Sequence, residues 1–461
     1  MRARSTPLTP GTSRRAFLGL GAAGLSVPLL ASCAGGVTDG GNGNGSNELD
    51  QVDFNPPSEY SGREMNIVMW SAMGGNNGEV LDELIDEFNQ SQEDIYAEVQ
   101  FQGPYEESGP QLTASLQAGH APDIMMLADT FWGRFLLNDV LEPLDDYFTD
   151  DFNRSHYMEQ LFDEGVAGGS PYWLSYGRST PLFYYNKDYF EQAGLPDRGP
   201  ETWDELRDWS SELNQLQVSG AALPVQAFNS GDDWPFMAAV WQFGGRISEG
   251  LDVMIDQEGA VEAGNWLQQY IFSDGYGYLA QSPTTDFGAG VVATMIGSTA
   301  SLAGIYSEAE FEVGTAFLPQ QQTHGVPTGG MGFSLFKDAP QERKEAAFEV
   351  LKFLGRADNA AAWTLGTGYM PIVKASAEEP ELAETLEDDP NFSVAVDQLE
   401  LAQPTDAVRS FLSDGTSVII SGVQEIFSSA NNDVQTVFDG VAAELRDGAE
   451  LIQDDYDSWF N

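Results

Sequence analysis

Covalent chemistry needs a nucleophile, an acid–base pair or a metal cluster in a recognisable spacing, and this 461-residue chain offers little of it. Its one cysteine, Cys33, rules out a disulfide within the chain and limits any metal site to a single thiolate. The three histidines, His120, His156 and His324, share no ligand spacing and read as surface or loop residues. No G-x-S-x-G, S-x-x-K, H-E-x-x-H, C-x-x-C or G-x-x-x-x-G-K-[ST] occurs in the part that reads as folded. Carboxylates are so numerous that no pair stands out for acid and base work. Aromatics beside turn signals are more informative. Trp70, Tyr105, Trp234, Trp241 and Tyr369 carry faces that stack on polyol carbons, although each such residue is more often part of a core.

Charge narrows the partners. There are 20 Lys and Arg against 72 Asp and Glu, a formal net charge of -52. Acids spread through the whole chain repel nucleic acid and anionic membrane, and suit a surface kept soluble in high salt, where self-repulsion is screened.

The N-terminus reads Ser13-Arg14-Arg15-Ala16-Phe17-Leu18, then an apolar run, then Leu30-Ala31-Ser32-Cys33-Ala34-Gly35. Twin arginines before a short apolar segment fit a Tat export signal, and the small-residue site ending in cysteine looks like a lipobox. Removal of residues 1–32 would leave Cys33 lipidated, holding the chain on the extracellular face of the cytoplasmic membrane. The segment is too short and wrongly flanked for a standard span. Gly19-Leu20-Gly21-Ala22-Ala23-Gly24 matches G-x-G-x-x-G, but it lies inside this signal with no strand before it, so it is not a dinucleotide site. Residues 33–62, rich in Gly, Asn and Ser, read as a flexible polar tether.

From about residue 64 strands alternate with helices. Met65–Trp70, Ile95–Phe101 and Asp123–Leu127 read as strands, and Glu79–Asn89 and Gln111–Ala118 as helices, the first with Val80, Leu81, Leu84, Ile85 and Phe88 inward. This spacing predicts parallel α/β construction. Ser179 to Leu195 predicts an aromatic strand and then a short helix stopped by Gly194. Thr202 caps another helix beginning at Trp203, and the last eighty residues read mostly as helix. Export signal, tether and motif-free body suit a surface-tethered binding protein better than a catalyst.

The chain resembles the extracellular solute-binding proteins of carbohydrate ABC importers, and among them the sn-glycerol-3-phosphate-binding branch. The similarity covers about Met65 to Asp447. It rests on Met69-Trp70-Ser71-Ala72-Met73, Gly119-His120-Ala121-Pro122-Asp123, Ser179-Thr180-Pro181, Tyr184-Tyr185-Asn186-Lys187-Asp188, Ser298 to Ile305, Gly329-Gly330 and Gly366-Thr367-Gly368-Tyr369-Met370-Pro371-Ile372. The Ala-Pro-Asp and Tyr-Asn-Lys-Asp pieces belong to the whole superfamily; the Trp-Ser, Ser-Thr-Pro and Thr-Gly-Tyr segments are more specific to the branch. The resemblance implies an α/β, two-lobe periplasmic-binding-protein-like fold of type II with ligand in the cleft. It places the first lobe at 63–177 and 328–373 and the second at 178–327 and 374–461. It also implies hinge closure, delivery to a permease pair driven by a cytoplasmic ATPase, no cofactor and no catalysis, and a monomer.

Carried over position by position, the family's ligand contacts are Tyr105, Asp129, Ser179, Trp234, Ser298, Gly330, Tyr369 and Arg409. The tyrosines and serines supply hydroxyls, Gly330 lets a backbone N–H approach, and Trp234 offers a stacking face. Asp129 accepts from glycerol hydroxyls, and Arg409 either grips phosphate or pairs with a carboxylate. The branch usually has Glu at 129, a second tryptophan at 231 and a small polar residue at 178; here stand Asp129, Gly231 and Arg178. Arg178 is a second phosphate ligand or an ion-pair partner. The expected ligand is glycerol-3-phosphate or a glycerophosphodiester, with a neutral sugar as the alternative. A secreted hydrolase using Asp129 and a neighbouring carboxylate is the reading from another class.

Overall fold

The computed structural model describes residues 53–54, 63–229 and 231–460. The expected signal at 1–32 and Cys33 lie outside the described residues. Within the expected tether, Asp53–Phe54 pair in parallel with His120–Ala121, so backbone pairing already joins the chain to the body there.

Ten strands form two sheets. In chain order they are β1 (Met65–Ser71), β2 (Ile95–Phe101), β3 (Ile124–Ala128), β4 (Leu174–Ser179), β5 (Pro181–Asn186), β6 (Gln226–Asn229), β7 (Gly277–Ala280), β8 (Thr294–Ser298), β9 (Val313–Ala316) and β10 (Gly329–Leu335). The first sheet has the order β2-β1-β3-β10-β4 and the second β7-β6-β8-β5-β9. In each, four strands run in one direction and one runs against them: β10 in the first sheet and β5 in the second. The expected parallel construction holds for β1, β2 and β3, and the crossings add one reversed strand to each sheet: β5 enters the second sheet straight from β4 of the first, and β10 returns the other way. Each sheet centres the lobe that it belongs to, the two-lobe α/β architecture anticipated from the resemblance.

The helices that bear on the site are α1 (Gly75–Ser91), α2 (Tyr105–Gln117), α3 (Trp234–Gln242), α4 (Ala357–Thr367), α5 (Ala407–Phe411) and α6 (Val434–Phe460). Leu81, Leu84, Ile85 and Phe88 of α1 are buried, as their helical spacing predicts. Helix α2 starts six residues before its expected beginning, running through Pro110, which the sequence marks as a breaker. Helix α6 fills the second core with Val434, Phe438, Val441, Ala442 and Leu445. Its last turn reaches the first lobe, where the Trp459 carbonyl accepts from Gly168 N–H at 3.1 Å and the Trp459 ring meets Tyr172 edge-on at 5.2 Å.

The first crossing is a single residue, Thr180, between β4 and β5. The sequence reading opens the second lobe at 178, but Arg178 and Ser179 pair with Gly330 and Gly329 and so belong to the first sheet. Pro181, which has no N–H to give, heads the new strand, as strand prolines do. Fully buried Gln398 pins the crossing: its Nε2 donates to Thr180 Oγ1 at 3.0 Å and to the Pro181 carbonyl at 2.8 Å, and its Oε1 accepts from Leu318 N–H at 3.0 Å. Gly330 has φ +118, where a side chain is strained, and a Cβ there would overlap the Gly177 carbonyl. Gly330→Ala is therefore expected to lower stability by about 2–4 kcal/mol, read by denaturant unfolding without ligand. An unchanged midpoint would show that the β4–β10 contact yields freely.

Candidate ligand-binding site

The carried-over residues gather where the two sheets meet. Tyr105 opens α2, Asp129 follows β3, Ser179 ends β4, Trp234 opens α3, Ser298 ends β8, Gly330 lies in β10, Tyr369 follows α4 and Arg409 lies in α5. Strand ends and helix starts are where side chains of an α/β sheet converge on a crevice. Asp129 N–H donates to the Gly330 carbonyl at 2.9 Å, and Ser410 Oγ donates to the Asp129 carbonyl at 2.5 Å, fixing the strand end from both lobes. Ser179 Oγ donates to the Gly329 carbonyl at 3.3 Å. Trp234 Nε1 donates to the Thr328 carbonyl at 3.0 Å, with its ring against Gly329, where a Cβ would stand 2.6 Å away. Ser298 Oγ caps a short turn by accepting from Ala300 N–H at 3.1 Å, leaving its own hydrogen to give. Gly368 in a left-handed turn (φ +81) stops α4 and delivers Tyr369, whose ring stacks on Trp363 at 5.6 Å and 7°.

Gly330 has a steric reason beside the one expected. Its positive φ and the Gly177 carbonyl demand a glycine whether or not a ligand approaches. Two of the other aromatics read as pocket candidates are occupied by protein partners. Trp70 Nε1 donates to Gln100 Oε1 at 3.3 Å. Trp241 Nε1 donates to Asp406 Oδ2 at 3.1 Å, under Arg246 at 3.9 Å from the ring centre. Among the described residues no group of His, Cys, Asp and Glu could hold a metal ion.

A chain of charges links the two lobes. Arg178, fully buried, donates to the Glu164 carboxylate, and its Nη1 stands 3.8 Å from Asp129 Oδ2. Asp129 Oδ1 stands 3.7 Å from Arg409 Nη1, and Arg409 Nε donates to Asp233 at 3.0 and 2.9 Å. Arg178 is thus an ion-pair partner, one of its two expected roles. Burial works against the Arg409 charge, yet Asp233, Asp129 and Asp232 together hold the guanidinium above its ordinary range. Burial and then neighbouring Asp233 push the Asp232 carboxyl up to about 6, against the pull of Arg409. Glu164 is also raised, by burial that Arg178 only partly offsets. Burial and the facing Tyr369 phenol raise the Tyr105 hydroxyl, which stays protonated.

Sequence reasoning missed Glu164, Thr328, Asp232 and Asp233. Asp232 and Asp233 directly precede Trp234 and were within reach of a local search; Glu164 is one acid among many and becomes visible only through Arg178. Tyr105 Oη, Asp129 Oδ2, Glu164 Oε1, and Arg178 Nε and Nη1 are buried with no hydrogen-bond partner among the described residues. Native interiors seldom leave such atoms unmatched, so a cluster of them marks a place built for a polar guest.

Known proteins share this sequence pattern and fold. The family model of bacterial extracellular solute-binding proteins matches residues 83–393. The sn-glycerol-3-phosphate-binding periplasmic protein UgpB of Pectobacterium atrosepticum is 27% identical over 72% of this chain and 79% of its own length. The crystal structure of UgpB from Mycobacterium tuberculosis in complex with glycerophosphocholine is 32% identical, covering 84% of this chain and 98% of that one with a TM-score of 0.79. A cyclic alpha-maltosyl-1,6-maltose binding protein from Arthrobacter globiformis shares the fold at 22% identity, covering 83% and 99%, with a TM-score of 0.69. With its two lobes and the crevice between them, the chain belongs to the bacterial extracellular solute-binding proteins, the substrate-binding components of ABC importers.

Proposed function

We propose that this protein captures a glycerophosphodiester outside the membrane and delivers it to a permease pair driven by a cytoplasmic ATPase. The observation that carries this reading is the buried charge chain. Two arginines sit among Asp129, Glu164, Asp232 and Asp233, and that acid excess discriminates among phosphates. A phosphate monoester such as glycerol-3-phosphate carries close to two negative charges at neutral pH, and a diester only one. Placing the smaller charge beside four carboxylates costs less, and a diester whose far end is cationic would gain from them. The Mycobacterium tuberculosis UgpB holds glycerophosphocholine, a diester of this class, whereas the Pectobacterium atrosepticum relative is named for the monoester sn-glycerol-3-phosphate.

The same acids favour a second reading. Because Asp233 already holds Arg409 Nε, a neutral sugar could occupy the crevice with Arg409 as a lobe–lobe ion pair and Trp234 as the stacking face. Closure follows in either case, because only the closed form lets both lobes touch the ligand. The chain works as a monomer, exported by the Tat route and held at the extracellular face through lipidated Cys33. Its acid-rich exterior fits high salt, which confines its repulsion of an anionic ligand to short range.

Calorimetry in matching salt is expected to show heat with a glycerophosphodiester. Arg409→Ala should weaken that binding by about 2–5 kcal/mol while changing binding of a neutral disaccharide much less. Clear binding of the disaccharide with none of either phosphate compound would overturn the proposal.

Asp232 adds a pH dependence. A diester does not change charge between pH 5 and 7.5, but Asp232 protonates near 6 and removes one repelling charge. Diester affinity should therefore rise about tenfold from pH 7.5 to 5, and Asp232→Asn should bind more tightly at pH 7.5 and lose the slope. The same carboxyl affects folding in the opposite sense to a salt-bridged acid. Its folded pKa is raised, so its contribution to stability is full below about 3.8 and gone above about 6. Equal slopes in wild type and variant would remove Asp232 from the account.

A further inference from the structure

Arg178 has donors to spare. Its Nη2 is committed to Glu164 and to Thr328 Oγ1, the latter at 3.1 Å. Its Nε and Nη1 have no hydrogen-bond partner among the described residues, although the side chain is wholly buried. A guanidinium offers five N–H groups in a planar fork, and leaving several unmatched in a low-dielectric interior is costly. Nη1 does not face bare hydrocarbon. Asp129 Oδ2, an acceptor likewise without a partner, stands 3.8 Å from it, and the Gly330 position brings no side chain between them. The Tyr105 hydroxyl, facing the Tyr369 phenol, lies close enough to feel the charges of both Arg178 and Asp129.

The three atoms define a chemical preference. A phosphate oxygen can only accept, so Arg178 would welcome it and Asp129 would repel it. An aliphatic hydroxyl does both: its hydrogen goes to Asp129 Oδ2 while its oxygen accepts from Arg178 Nη1 and from the Tyr105 hydroxyl. One oxygen at ordinary hydrogen-bond lengths, about 2.8 Å, from two atoms 3.8 Å apart subtends roughly 85°, narrower than tetrahedral, so the pair must spread by somewhat under 1 Å to seat it without strain. Thr328 and Glu164 keep the fork turned toward Asp129. We infer that Arg178 is a specificity-determining residue of this chain, positioned by Glu164 to read a free ligand hydroxyl jointly with Asp129 and Tyr105. The phosphate is then left to Arg409 on the other side of Asp129. This rests on the reading of the crevice as a glycerophosphodiester site, and it makes the free glycerol diol the feature the first lobe selects.

The test is a two-by-two comparison by calorimetry. The ligands are a glycerophosphodiester with its free diol and the matching propyl phosphodiester that lacks both hydroxyls. The proteins are the wild type and Glu164→Gln/Arg178→Met, the paired change sparing a buried carboxylate without its cation; thermal melting confirms that the double variant is folded. Wild type should favour the diol by at least about 100-fold, because a site built around a hydroxyl rejects its absence. The double variant should favour it by less than about tenfold, with the propyl compound bound nearly as before. Undiminished preference in the double variant overturns the inference, as does an equal loss of both ligands. Failure of wild type to bind either diester defeats the underlying reading as well, and is thereby told apart from failure of the inference alone.

Discussion

A run of alternating charges, Glu164, Arg178, Asp129, Arg409 and Asp233, passes through the middle of this protein almost without solvent. Buried ions are tolerated only when each finds a partner of opposite sign and enough hydrogen bonds. Here the partners come from both lobes: Glu164, Arg178 and Asp129 from the first, Arg409 and Asp233 from the second. Asp129 and Arg409 face each other across the crevice, so the charges proposed to receive a ligand also join the lobes. The closest pairs, Arg178 with Glu164 and Arg409 with Asp233, lie within one lobe each, while the 3.7 Å contact across the crevice is looser. That gradation suits a hinge in which each lobe keeps its own charges satisfied.

The backbone makes this arrangement possible. Because β4 passes into β5 through Thr180 alone, Arg178 and Ser179 sit at the mouth of the first sheet while their sequence neighbours already belong to the second. Gly330 lies directly opposite Arg178 in β10, and its lack of a side chain allows the two strands to close there. Gln398 then ties the crossing residue to the second sheet with three hydrogen bonds. The acid-rich exterior contributes little to this local balance, since screening in salt reduces its reach to the interior pairs.

Much of the architecture was legible in the chain. Hydrophobic spacing located β1, β2, β3 and the buried face of α1, and Asn186 and Gly194 bracket the short helix after β5 with the cap and stop that their types predict. The motifs around Ser179, Tyr184 and Tyr369 led to the family. Two things were not legible. Strand direction within a sheet depends on which lobe a strand enters from, and local sequence holds no record of that, so the reversal of β5 and β10 could not be read from the chain. The partner of Arg178 was equally hidden: among 72 acids no sequence signal distinguishes Glu164, which is selected by proximity in space, whereas Asp233 at least adjoins Trp234. Helix α2 was placed too late because its first turns, with Gly109 and Pro110 among them, carry little helical signal.

The location of phosphorus in crystals grown with a glycerophosphodiester, found from its anomalous scattering, bears most directly on the claim that the charge chain is a phosphodiester site with separate ends. The account predicts one phosphorus peak on the Arg409 side of Asp129, within about 4–5 Å of that guanidinium, with a ligand hydroxyl between Arg178 and Asp129. A peak between Arg178 and Asp129, or none within the crevice, would contradict it.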